Sequence, residues 1–372
     1  MSAAVPEAGV HSERNAAWLG ISLGVAFGIC FLTGVLSHLI QHPPGWFVWP
    51  PRPAGSYRVT QGLHVATGIA AIPLLLVKLW TVYPKLFRWP PFNDAVDLLE
   101  RASLLPLISG AIFLLVSGTQ NIFHWYPWHF FFPVAHWWAA WITIGALLVH
   151  IGAKATQARR AISGPPPEPT PVPASGLSRR GVLRMAFGGA GLLTLVTLGE
   201  TFGPLRHTDL LSPRRPDIGP QGLPVNRSAE EAGVIAAATD PAYRLVVEGG
   251  SGGPMSLSVA DLRALGLHTA VLPISCVEGW SAQAVWRGVR VRDLLAHAGR
   301  PGAAASVGSL ETSGIYTGSN LSPAQAADPD TLLALEVNGA PLHIQHGYPV
   351  RLVGPGRPGV QQTKWVGKVV IA

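Results

Sequence analysis

Charge and cysteine are what this chain has least of. Only 13% of its 372 residues are charged, against 48% hydrophobic, a balance too apolar for an ordinary soluble enzyme. The net charge of +7 is not gathered into one patch. Its basic residues sit in short connections between apolar stretches, as membrane-orientation signals do, so nucleic acid is not an expected partner. Of the two cysteines, Cys30 lies deep in an apolar stretch and Cys276 in a distant polar region. No disulfide between them is expected, and Cys276 is left as a lone thiol, either a small buried hydrophobe or a ligand or nucleophile. Zinc, nucleotide and serine-hydrolase constellations are also missing. The Gly249–Gly253 turn lacks the strand-to-helix context and the lysine of a phosphate loop. The polar tail, 1–16, shows no cleavable signal pattern.

Long apolar runs are what the chain has in excess. Four, at about 17–39, 59–83, 99–123 and 133–153, are long enough to span a bilayer. Lys85 and Arg88 lie between the second and third, and Lys154, Arg159 and Arg160 follow the fourth, whereas no cation occurs from His124 to Phe132. The positive-inside bias therefore puts the tail and the Lys85 connection in the cytoplasm, and the aromatic cluster 123–132 at the outer interface.

An ionisable side chain in an apolar span is costly and is read first as functional. His64 lies in the second span, His136 at the outer start of the fourth, and His150 fourteen residues later. That interval is close to four helical turns, so His136 and His150 project from nearly one face about 21 Å apart. Imidazoles facing each other across a four-helix bundle suit a haem b iron. On these residues the bundle resembles the di-haem cytochrome b subunits of membrane formate dehydrogenases and related quinone-linked enzymes. The resemblance implies that His64 and His136 hold an outer haem and that His150 supplies one ligand of an inner one. The inner partner is missing, because Ala17-Trp18 stands where that family has His-Trp and only His11 is near. One haem b is expected and a second is left open. His38 is an alternative haem ligand or part of a quinol proton path, and His124 and His129 read as interfacial.

A proline-rich linker, 156–178, follows, extended rather than packed. Arg179-Arg180 then precedes an apolar run, giving a fifth span within 179–205 that resembles a twin-arginine (Tat) export signal. The plain alternative is a basic flank on a simple anchor. Both put the remainder, 206–372, outside the membrane. That remainder alternates short strands (about 243–248, 269–274, 333–337, 350–353 and 368–371) with helices near 229–238, 259–265 and 291–297, an α+β pattern rather than a doubly wound sheet.

Five blocks in that region carry chemistry: Ser275-Cys276-Val-Glu-Gly-Trp280, Ile315-Tyr316-Thr-Gly, His346-Gly-Tyr-Pro-Val-Arg351, Pro355-Gly356 and Lys364-Trp365. In this order they resemble the molybdopterin domain of the sulfite oxidase family. The segment after Cys276 looks more like the periplasmic methionine sulfoxide reductase branch, while Tyr316 and the His346–Arg351 run look more like sulfite oxidase. The resemblance implies that Cys276 ligates molybdenum, since a soft thiolate suits that metal and tunes its potential. It further implies that His346, Arg351 and Lys364 contact the anionic pterin, with Asn226 and Arg227 as weaker matches. Tyr316 is then placed to give a hydrogen bond or proton to a metal oxygen.

The expectation is an N-terminal all-α transmembrane bundle of four helices plus an anchor, joined to an extracytoplasmic α+β molybdopterin domain. Its function would be a multi-pass oxidoreductase of the cytoplasmic membrane, linking a sulfite-like anion or S-oxide at molybdenum, through haem b, to the quinone pool. The alternatives are a haem protein whose outer domain is a metal-free binding or assembly module, and a sensor gated by that domain. The substrate and the direction of electron flow stay open.

Overall fold

A computed structural model describes residues 11–87, 95–164, 178–314 and 316–372. The tail up to residue 10, Arg88 and the proline-rich run 165–177 lie outside the described residues. The chain forms two compact units, one of Leu63–Leu198 with the segment ending at Gly34, the other of Val35–Gly62 with Gly199–Ala372.

Among the described residues five helices are long and apolar enough to cross a membrane. They are α1 (Glu13–Gln41), α2 (Ser56–Leu86), α3 (Ala95–Ile122), α4 (Phe132–Ser163) and α5 (Arg179–Leu195). Pro73 and Pro84 lie inside α2 and Pro106 inside α3, which apolar spans tolerate because packed neighbours re-satisfy the freed carbonyls. Ser178 caps α5, its hydroxyl accepting from Gly181 N at 3.1 Å. In the first unit Leu19, Leu23 and Ala26 of α1 form a core with Ala71, Leu74 and Leu75 of α2, Ala111 of α3, and Val182, Ala186 and Ala190 of α5.

Among its described residues the second unit contains ten strands. They are β1 (Leu245–Glu248), β2 (Met255–Leu257), β3 (His268–Ser275), β4 (Ser281–Arg290), β5 (Ala305–Ser309), β6 (Gly318–Leu321), β7 (Leu332–Val337), β8 (Ala340–Pro341), β9 (Arg351–Val353) and β10 (Val366–Ile371). One sheet runs β2-β1-β10-β5-β6; the other runs β3-β4-β7-β8, with β9 also on β7. Only β1 and β10 pair in parallel, so the domain is α+β. Short helices α6 (Ile235–Thr239), α7 (Val259–Ala264), α8 (Val291–His297) and α9 (Pro323–Ala327) join them. The helix expected over 229–238 shrinks to α6, because Gly233 sits at φ +65 and breaks the run. β5 and β6, rich in Ser and Gly, were not expected. Sheet pairing rather than intrinsic propensity makes them strands.

The β3–β4 hairpin sets up the site. Its strands pair without a slip from His268↔Gly288 to Ser275↔Ser281. Burial along β3 alternates at first and becomes continuous from Leu272 to Ser275, so the hairpin drives its loop, Cys276–Trp280, into the interior. That loop is closed by Cys276 N donating to Trp280 O at 2.9 Å and Gly279 N donating to Cys276 O at 3.2 Å.

Candidate active site and haem-type histidine pair

Cys276 is 1% exposed. Asn226 Nδ2 donates to its sulfur at 3.5 Å, which brings one of the two weaker sequence matches directly to the thiol. Burial, then the Glu278 carboxylate, hold the thiol well above its ordinary value. Glu278 is itself tied down by an ion pair with Arg214 (2.8 Å) and by Trp280 Nε1 (3.1 Å).

Two cations share this region. Arg351 is 2% exposed, with its guanidinium 5.4 Å over the Trp286 ring; one nitrogen donates to His346 O at 3.1 Å. Its Nε is buried with no hydrogen-bond partner among the described residues. Burial lowers the guanidinium to about 9, and only the nearby Cys276 opposes this. Lys364 Nζ donates to Arg227 O (2.7 Å) and Gln345 O (3.0 Å), and burial, then Arg351, lower it to about 7. Among the described residues neither cation forms an ion pair. Two under-compensated cations beside a thiol, with a guanidinium nitrogen left over, are what an anionic, metal-bearing group would satisfy.

Gly347 lets these parts meet. At φ +105, a Cβ there would lie 3.1 Å from Lys364 Cα and 3.2 Å from Arg351 Cβ, so only glycine fits the turn between His346 and the two cations. The other expected residues play varied parts. His346 is buried, its Nε2 2.6 Å from Pro220 O, and burial with Arg351 holds the ring near pKa 4, hence neutral. The Arg227 guanidinium is taken by Glu311 at 2.9 Å, and the residue meets Lys364 through its backbone carbonyl. Tyr316 is 37% exposed; burial of its hydroxyl, then Cys276, raise its pKa, so the phenol keeps its proton.

In the first unit the His64 and His136 rings lie 6.4 Å apart, centroid to centroid, with planes at 64°. Each is held by Nδ1: His64 by Cys30 O (2.9 Å) and Thr33 Oγ1 (3.2 Å), His136 by Ser117 Oγ (3.1 Å). Such second-sphere bonds fix the ring and leave Nε2 for a metal. Two imidazoles on opposite sides of one ion, at about 2 Å per metal–nitrogen bond, put their centroids about 6 Å apart. A Cβ on Gly34 would come 3.2 Å from His64 Cε1, so glycine keeps that ring's edge clear. The residues present fit a haem iron. His150 Nδ1 is buried without a partner among the described residues, and His11 Nδ1 bonds Thr81 O at 2.9 Å. His38 belongs to the second unit and stacks on His42 at 4.7 Å.

Residues 232–372 match the family model of the oxidoreductase molybdopterin binding domain. The mitochondrial sulfite oxidase of Rattus norvegicus is 35% identical over 157 residues, 35% of this chain and 29% of the rat protein. The sulfite oxidase of Gallus gallus is 32% identical over 167 residues, 37% of this chain and 36% of that protein. A nitrate reductase [NAD(P)H] of Hordeum vulgare is 42% identical over 98 residues, 24% of this chain and 11% of the other. The C-terminal region therefore carries a sulfite oxidase-type molybdopterin-binding domain. The chain spans about a third or less of these relatives' lengths, and the family model's match lies outside its five apolar helices.

Proposed function

We propose that the protein is a membrane-bound molybdopterin-dependent oxidoreductase that passes electrons between a small extracytoplasmic substrate, a sulfite-like anion or an S-oxide, and the quinone pool by way of haem b. The observation that carries the molybdenum half is the convergence of Arg351 and Lys364, without acidic partners, on the buried Cys276 thiol. Molybdopterin supplies two-electron oxygen-atom chemistry when bound, and haem a one-electron relay. Cys276 provides the thiolate, Asn226 holds it, and Arg351 and Lys364 offset the cofactor's negative charge. Reducing an S-oxide takes up two protons with two electrons and releases water; oxidising a sulfite-like anion consumes water and releases them. In either direction a proton-bearing group must face the reacting oxygen, and Tyr316 retains its proton for that task.

The haem half is supported by the paired, Nδ1-anchored rings of His64 and His136. Membrane lipid and a quinone are the partners this reading implies, and the Arg179-Arg180 pair opening α5 suits Tat export of a domain already folded around its cofactor. The test is metal analysis together with a reduced-minus-oxidised spectrum on detergent-purified protein. Molybdenum near one per chain with a b-type haem signal is expected. Haem without molybdenum would shift the reading to a metal-free binding module, and neither would overturn it.

A further inference from the structure

The Cys276 loop is fastened from outside its own sheet. Gln61, 7% exposed in the second turn of α2, donates from Nε2 to the Val277 carbonyl at 2.7 Å, one residue past the thiol. Its Oε1 accepts from Ser37 Oγ on α1 at 3.3 Å and from the Tyr57 hydroxyl at 3.4 Å. The Ser37 and Tyr57 hydroxyls lie 3.0 Å apart, and Gln41 Nε2 donates to Ser37 Oγ at 3.0 Å. Both ends of the Gln61 amide are therefore committed, which fixes which end faces the loop. Tyr57, 1% exposed, lies within electrostatic reach of the Cys276 thiol and the Tyr316 phenol.

The segment that carries these residues, Val35–Gly62, makes further contacts within the same unit. Arg52 grips Asp328 through two 3.0 Å bonds and reaches Asp330 at 2.5 Å. Trp49 Nε1 donates to Gly356 O at 2.9 Å, Gly356 N to Ala54 O at 3.0 Å, and Gln361 Nε2 to Ile40 O at 2.8 Å. Of the partners on the domain side, Gly356 belongs to the Pro355-Gly356 block that the sequence marks as part of the site, and Gln361 follows it by five residues.

We propose that the segment Val35–Gly62, which belongs to the same unit as Cys276, forms a wall of the molybdenum site and that Gln61 is a positioning residue, setting the Val277 carbonyl and thereby the direction in which Cys276 presents its sulfur. Metal–thiolate bonding is sensitive to ligand orientation, so a bond one residue away tunes the centre without touching it. A domain consisting of the family-matched region alone would lack this wall. Along α2, His64 follows Gln61 by three residues, about one turn on the same face, so a single helix carries a residue of each candidate centre. The proposal rests on Cys276 being the molybdenum ligand.

The experiment uses full-length, detergent-purified protein with Gln61→Leu and Gln61→Glu. The glutamate keeps the shape and the acceptor for Ser37 and Tyr57 but loses the donor to Val277. On each sample molybdenum and haem are quantified, amide hydrogen exchange is followed across 277–280, and the Mo(V) resonance is recorded after titration with dithionite. Both variants are expected to keep molybdenum and haem, to exchange the loop amides about tenfold faster while β5 is unchanged, and to shift the Mo(V) g-values. Wild-type exchange and an unshifted resonance in Gln61→Glu would overturn the proposal. Should the wild-type protein hold no molybdenum, the functional reading fails, and the exchange contrast alone decides whether Gln61 holds the loop: faster exchange supports that, unchanged exchange refutes it.

Discussion

The two candidate centres are built on opposite electrostatic plans. Around Cys276 the protein gathers a buried guanidinium and an ammonium that, among the described residues, form no ion pair with a carboxylate. Around His64 and His136 it gathers no charge, only a backbone carbonyl and two hydroxyls, each on an Nδ1. On the proposed membrane placement, the difference follows from solvent. Helices with lipid on one side cannot carry unpaired cations at tolerable cost, so a centre there is held by neutral ligands and takes its charge from the group it binds. A domain in water can carry cations into its interior when an anionic ligand is to meet them. The uncharged plan is suited to haem, the cationic one to a phosphate-bearing pterin.

Replacing one proposed metal ligand from each centre tests most sharply whether they are separate. Cys276→Ser should cut bound molybdenum to below about a tenth of the wild-type value, because a neutral hydroxyl is a poor ligand for a metal that prefers thiolate. The haem spectrum should be unchanged. His64→Ala should do the reverse, abolishing the haem absorbance and leaving molybdenum in place. If either substitution emptied both centres, the contrast between two independently built sites would fail.

A smaller effect is expected for Lys364→Met, which keeps the stem and its packing but removes the charge. Molybdenum retained after dialysis should fall about 10-fold to 100-fold, as for a supporting residue rather than a ligand. The same change should leave the haem content alone.

Smallest is a pH effect confined to the α+β unit. Lys364 is lowered to about 7 from an ordinary 10.5, and His346 to about 4 from 6.5. In both windows the unfolded chain binds more protons than the folded one, so stability rises with pH. The rise should run from about pH 4 to 6.5 through His346 and resume above about 7 through Lys364. It is opposed above 9.0, where the raised Cys276 thiol begins to count the other way. Thermal melts of cofactor-free protein between pH 7 and 8.5 should slope more steeply upward than those of Lys364→Met, and cofactor loading should remove that difference, since the bound anion returns Lys364 to its charged form. A difference that survives loading would mean that the ammonium does not face the cofactor.

Much of this was legible in the linear chain because its signals are local. Apolar runs of bilayer length announced the helices, and α8 lies at Val291–His297, where its pattern placed it. Cys276, Arg351 and Lys364 were marked by motif, and the structure brings them together. Asn226, the weak match, proved to touch the sulfur, while Arg227, matched equally weakly, spends its guanidinium on Glu311. No neighbouring residue in sequence could have separated those two outcomes. Gln61 and Tyr57 gave no signal at all, because a glutamine and a tyrosine at the start of an apolar helix look like interfacial residues.

The sequence by itself determined the kinds of chemistry available: five apolar helices, a thiol in a polar domain, histidines where lipid makes them costly, and cations in a motif order. These are properties of composition and short-range period, which any segment carries with it. Only the tertiary structure decided which ring nitrogens are left open, which of two adjacent residues meets the sulfur, and that Gln61 holds a carbonyl 216 positions away. Hydrogen bonds between such distant residues depend on where a sheet hairpin and a helix end come to rest, and that is fixed by the packing of the whole unit rather than by any stretch within it.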